Sequence, residues 1–312
     1  MKTAFHIRLR SFVLAALALV SIDPASLRAA DPFTLETARA AAEKGDAKAL
    51  YFLAKSYAKG EGVKLDLNGA AEFMRRSAEL GLAPAQTDLA AMYFEGSGVK
   101  RDYAAAARWY RKAADNGDNL AQYGMGLMYS LGRGVAQDMA ESVKWYKKAA
   151  DQNQPDALLA LGDIYLNGRD GIPVDTKEAF KWFQKAVAQG RTEALNSAGY
   201  LYEHGDAIDD QGSPIGPSPE LALKCYREAA LKGDARGQVN LGRMYLEGQG
   251  VESDLVEACK WFLLARRNGA LTADKYLRDL ELGKLLKPEE KDEAILRADE
   301  FQKSFAKEKA AK

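Results

Sequence analysis

One pattern recurs along this chain about every 36 residues, and a period of that length leaves few folds open. Tyr57, Tyr93, Tyr129, Tyr165, Tyr202 and Tyr245 are separated by 36, 36, 36, 37 and 43 residues. Three positions before each tyrosine stands a small residue: Ala54, Ala90, Gly126, Gly162, Gly199 and Gly242. A second column, Phe73, Trp109, Trp145, Trp182, Cys225 and Trp261, holds all four tryptophans of the chain. Repeats of this kind cannot bury their apolar faces alone and do so against their neighbours, so the pattern predicts a stack of identical units.

The local signals in each repeat predict helix, turn, helix. Apolar or small residues at 49, 53, 56 and 57 share one side of a helix. Gly60-Glu61-Gly62, Gly96-Ser97-Gly98, Gly132-Arg133-Gly134 and Gly248-Gln249-Gly250 then stop it, since glycine enters the left-handed region at little cost. Asp102, Asp138, Asp175, Ser218 and Asp254 stand where the next helix needs an N-cap, and Glu141, Glu178 and Glu257 follow at the spacing of a capping box. Gly81, Gly117, Asn153, Gly190, Gly233 and Gly269 suit a left-handed end to the second helix. The boundaries predict an N-terminal capping helix over 34–45 and repeats at 46–81, 82–117, 118–153, 154–190, 191–233 and 234–269. C-terminal capping helices follow over 270–283 and 288–305, with a tail at 306–312.

The recurring series of Ala, Leu-Gly-x-x-Tyr, Gly-x-Gly-Val, Asp, Ala-x-x-Trp-Tyr-x-x-Ala-Ala and Gly resembles the Sel-one-like repeat (SLR), a relative of the tetratricopeptide repeat with a longer unit. The resemblance spans residues 34–300. The fifth repeat departs furthest, with Cys225 in the tryptophan column and a seven-residue insertion. The resemblance implies an all-α fold, a right-handed α-α superhelix (solenoid) of six helix-turn-helix repeats with capping helices at both ends. It also implies a protein-protein interaction scaffold or adaptor without catalysis, whose first helices line a concave groove.

Residues 1–30 stand outside the repeat. Lys2, Arg8 and Arg10 give a basic opening, Phe12 to Ile22 an apolar run of eleven, and Ala29-Ala30 a small-residue end. They predict a secretory signal peptide cleaved near Ala29 or Ala30, hence a periplasmic or secreted protein with no membrane span after cleavage; a bilayer span needs about 20 apolar residues. Without them the chain keeps 40 basic residues against 43 acidic ones, no broad positive field for nucleic acid, and one histidine, His204. That is poor material for a metal site or a catalytic triad, and no cofactor is expected. Cys225 and Cys259 fall in different columns of adjacent repeats, which argues for free buried thiols rather than a bond.

Other motifs have structural explanations. The Gly-x-Gly turns follow helices and recur, so they read as helix ends rather than phosphate loops. Asp206, Asp209 and Asp210 lack the alternating spacing of a calcium loop, and residues 206–219 read as an acidic, proline-rich solvated insertion. Functional residues are expected where the repeats differ while their frame stays fixed. Columns 48, 52, 55 and 59, with 51 at their edge, fall opposite the constant face. From this stripe Tyr51, Lys55, Tyr123, Asp163, Asn196, Tyr200 and Arg243 are the candidate partner-binding residues, tyrosine and arginine being the types that most often carry interface energy. The expected partner is a protein or extended peptide; the alternative is a cell-wall glycan such as peptidoglycan, and an enzyme is not expected.

Overall fold

The structure is a computed structural model, which describes residues 33–283 and 285–310. The segment read as a signal peptide lies outside the described residues. Fifteen helices and one small hairpin make up the described residues, an all-α repeat fold. The helix α1 (Leu35–Glu43) precedes six helix pairs: α2 (Ala47–Lys59) and α3 (Leu67–Glu79), α4 (Ala83–Glu95) and α5 (Tyr103–Asp115), α6 (Asn119–Leu131) and α7 (Met139–Asp151), α8 (Pro155–Asn167) and α9 (Thr176–Ala188), α10 (Thr192–His204) and α11 (Pro219–Leu231), α12 (Ala235–Glu247) and α13 (Leu255–Arg267). The helices α14 (Ala273–Leu282) and α15 (Pro288–Ala310) follow. All twelve paired helices are 13 residues long, so sequence variation within them changes faces and not lengths.

The chain divides into two compact units, the first ending at Ala157 and the second beginning at Leu158. In the first, α1 to α7 pack as successive pairs over alanine, leucine and methionine, with Leu50, Leu53, Leu89, Met125 and Met128 fully enclosed. In the second, Tyr226, Leu241, Met244, Trp261 and Phe262 form the core. Its last apolar face is closed by α15, which buries Ala294 and Ala298 completely. That helix runs to Ala310, past the expected start of a tail at 306; no glycine or proline interrupts it, and Lys307 and Lys309 complement its C-terminal dipole.

One backbone bond recurs in every repeat: the N–H of the second helix's N-cap residue donates to the carbonyl of the column tyrosine. The pairs are Asp66 to Tyr57, Asp102 to Tyr93, Asp138 to Tyr129, Asp175 to Tyr165, Ser218 to Tyr202 and Asp254 to Tyr245, at 2.8 to 3.1 Å. The bond survives in the fifth repeat because the extra residues form a hairpin beside it. Its strands, β1 (Ala207–Ile208) and β2 (Pro214–Ile215), pair antiparallel, and Ala207 and Ile208 are buried. The base of the insertion is packed, which corrects that part of the solvated-loop reading, while residues 209–214 are exposed as read. Two of its acids are engaged within the protein: Thr176 donates to Asp206, and the backbone N–H groups of Gln211 and Ser213 donate to Asp209.

The small-residue column has a direct cause. A Cβ on Gly126, Gly162, Gly199 or Gly242 would sit within 2.4 to 2.7 Å of the ring of Tyr146, Phe183, Tyr226 or Phe262. In the Gly-x-Gly turns, a Cβ on Gly134 would lie 2.1 Å from the Tyr103 carbonyl oxygen, so that glycine lets one repeat approach the one before it. The aspartate N-caps form as the sequence predicts, but the second half of the capping box does not. Glu141, Glu178 and Glu257 turn instead to Lys144, Lys181 and Lys260 one helical turn on. Glu257 also accepts from Trp261 Nε1 at 2.9 Å, whereas the buried Nε1 groups of Trp145 and Trp182 have no partner. Both cysteines are free, Cys259 buried and Cys225 partly so.

Candidate functional site

The first helices α2, α4, α6, α8, α10 and α12 carry the variable stripe. In the first unit two of its predicted residues converge. Tyr51 donates its hydroxyl to Asp88 Oδ2 at 2.9 Å, and Lys55 Nζ reaches the same oxygen at 3.2 Å. Lys55 and Asp88 are about three-quarters shielded from water, so this ion pair is worth more than one on an open surface. The three side chains tie α2 to α4, and Lys55 and Asp88 line a small open depression. Leu67, Met74, Ala91, Met92 and Glu95 line it with them. Burial lifts the Glu95 carboxyl from its ordinary 4.5 to about 7. The hydroxyl of Tyr110, enclosed behind it, is pushed well up by burial and by the nearby Glu95, Asp88 and Asp118.

Tyr123 is half-buried, its ring 5.4 Å from that of Tyr146. In the second unit the predicted residues do different things. Asp163 is half-buried on α8. Asn196 is buried, and its amide donates to Asp234 at 2.8 Å, the aspartate that caps α12. Thr87, in the same column, donates likewise to Asp118, the cap of α6. Polar residues in that column therefore join one repeat to the next. Arg243 is held by Glu203 at 2.7 Å, Glu247 at 3.0 Å and Gln249 at 3.2 Å, while Tyr226 donates to the same Glu203 oxygen at 3.0 Å. Tyr200 is the most open of the seven, 46% exposed, with its ring stacked on His204 at 4.1 Å.

Asp88, Glu95 and Glu203 were not among the residues singled out. Two of them had a signal: Asp88 is the only charge in the column Phe52, Asp88, Gly124, Ala160, Ser197, Asn240, and Glu203 the only one in Ala58, Phe94, Ser130, Leu166, Glu203, Leu246. Nothing in the site resembles a reaction centre. Burial pushes the Cys225 thiol up to about 11 and raises Cys259 too, the opposite of what a nucleophile needs. Among the described residues no group of three or more His, Cys, Asp or Glu side chains is placed to hold a metal ion, and no helix is long and apolar enough to cross a membrane.

Paired helices of fixed length, joined by the same bonds in each repeat, define an all-α helical-repeat protein of the solenoid class. The Sel1 repeat model matches residues 47–82, 83–118, 119–154, 155–190, 192–234 and 235–269, and the chain belongs to the Sel1 repeat family. Among solved structures it is similar to c5321, a protective antigen of uropathogenic Escherichia coli strains that displays the SLR fold. The two are 35% identical with a TM-score of 0.74, over 88% of this chain and 56% of the antigen. The chain thus spans little more than half of that protein's length. It is also similar to a Sel1 repeat protein from Oxalobacter formigenes, 29% identical with a TM-score of 0.67, over 80% of this chain and 96% of that one. No curated protein matches the chain. Sel1 repeat proteins generally mediate protein-protein interactions, and the family is typically a non-catalytic scaffold.

Proposed function

We propose that this chain is a non-catalytic adaptor of the cell envelope that holds a protein or extended peptide against the faces of its first helices. The observation that carries the reading is the contrast between a frame that repeats bond for bond and a first-helix stripe whose side chains change from repeat to repeat. Such a surface offers a different chemistry at each step along a bound chain, the way repeat scaffolds achieve selectivity. The basic, apolar and small-residue order of residues 1–30 supports placement outside the cytoplasm. A second reading, binding to cell-wall glycan, is favoured by one feature: the open, stacked Tyr200 and His204 rings give a flat aromatic surface on which a sugar ring can lie.

Cross-linking capture from envelope fractions by residues 31–312 tests the first reading. It is run beside an equally helical variant carrying Tyr200→Asp and Lys55→Ala. One protein captured by the parent and lost from the variant is the expected result. Capture of the same protein by both chains would move the binding surface off this stripe. Absence of a captured protein, together with cosedimentation on purified sacculi, would replace the adaptor with a glycan-binding module.

A further inference from the structure

In the first unit the binding face has one group that the fold leaves unsatisfied. Of the charges around the depression between α2 and α4, Lys55 and Asp88 answer each other, and Tyr51 adds a hydrogen bond to Asp88. Glu95 does not share in this. Among the described residues its carboxylate has neither a hydrogen bond nor an ion pair, although it is half-buried. Arg101 gives Nε and Nη2 to the Glu95 backbone carbonyl at 3.2 and 3.0 Å and makes no ion pair with the carboxylate.

Glu95 is also the last residue of α4, where the helix dipole places partial negative charge, so the position favours a cation and not an acid. Lys55, which lines the same depression from α2, is paired with Asp88, and the Tyr110 hydroxyl near Glu95 carries no charge. A carboxylate drawn partly out of water beside apolar walls is completed by a paired cation, and none of the described residues forms an ion pair with this one.

We propose that this depression receives one basic side chain, a lysine or arginine of the bound polypeptide, with its methylenes against Leu67, Met74 and Met92 and its cationic head on Glu95. Long basic side chains combine an apolar stem with a charged tip, which is the combination the site presents in complement. The proposal rests on the adaptor reading and names the chemistry of the partner: a segment that offers a lysine or arginine to this repeat pair.

The test follows the methionine methyl resonances of Met74 and Met92 in the full chain from residue 31. Short peptide pools are added, randomised except at a central position fixed as lysine, arginine, norleucine or glutamate. At pH 8 the lysine and arginine pools are expected to shift both methyls saturably, at least about tenfold more tightly than the norleucine pool, the size of one charge-assisted contact. The isosteric Glu95→Gln substitution should bring all pools to the norleucine level. Lowering the parent chain to pH 5.5 should do the same, because Glu95 then takes up a proton, and this arm needs no variant.

Equal binding of norleucine and lysine, or an unchanged preference in Glu95→Gln, would make the depression an apolar contact and overturn the proposal. If no pool moves the methyls while envelope capture still yields a partner lost from the Tyr200→Asp, Lys55→Ala variant, the adaptor stands and this receptor falls. If the basic pools bind as expected and no protein is captured, the receptor stands and the adaptor reading fails.

Discussion

Glu95 puts function and stability in opposition at a single residue. Its carboxyl holds a proton up to about pH 7 in the folded chain but only to its ordinary 4.5 when exposed. The folded state therefore binds more protons than the unfolded chain between those values, and stability falls as pH rises through that window. Below 4.5 both states are protonated and nothing is lost. Glu95→Gln should raise stability by about 1 kcal/mol at pH 8, a figure discounted for the half-exposed position, and leave it unchanged at pH 4. Urea denaturation at the two pH values reads the difference; an equal gain at both would mean that a helix effect, and not ionisation, is responsible. Arg243 shows the reverse arrangement. Its charge is balanced by Glu203 and Glu247, so this candidate partner-binding residue is already fixed within the fold.

At the scale of the element, helix ends hold the repeats in register. Asp234 accepts from the backbone N–H of Gly237 at 2.7 Å and from Asn196 at 2.8 Å, so one carboxylate both caps α12 and joins it to α10. Asp234→Ala should destabilise the chain by about 2 kcal/mol, more than Asn196→Ala, and the double substitution should lose less than the sum of the two. A double-mutant cycle by chemical denaturation measures this, and strict additivity would show that the bond between them contributes nothing. The caps were legible because aspartate and glycine stand at fixed places in every period. The reason for the small-residue column was not: Gly162 is required by the ring of Phe183, a contact between two helices that no local signal records. The hairpin at 207–215 was missed for a related reason. Two-residue strands leave no periodicity, and the acids Asp206, Asp209 and Asp210 with Pro214, Pro217 and Pro219 dominate the composition. Helical geometry assigns the stripe's columns to one face, but which side chains pair across helices depends on contacts between repeats. Asn196 was read as a surface residue and is a buried link.

For the whole molecule, membership in the Sel1 repeat family and the all-α repeat architecture go together. The central claim is that partners lie on the first helices. Photo-cross-linking in living cells tests it most directly, with a photoreactive residue placed at exposed first-helix positions, Lys48 or Tyr200, or at exposed second-helix positions, Arg75 or Lys181. The account predicts adducts with the same protein from Lys48 and Tyr200 and none from Arg75 and Lys181; adducts confined to the second-helix positions would contradict it.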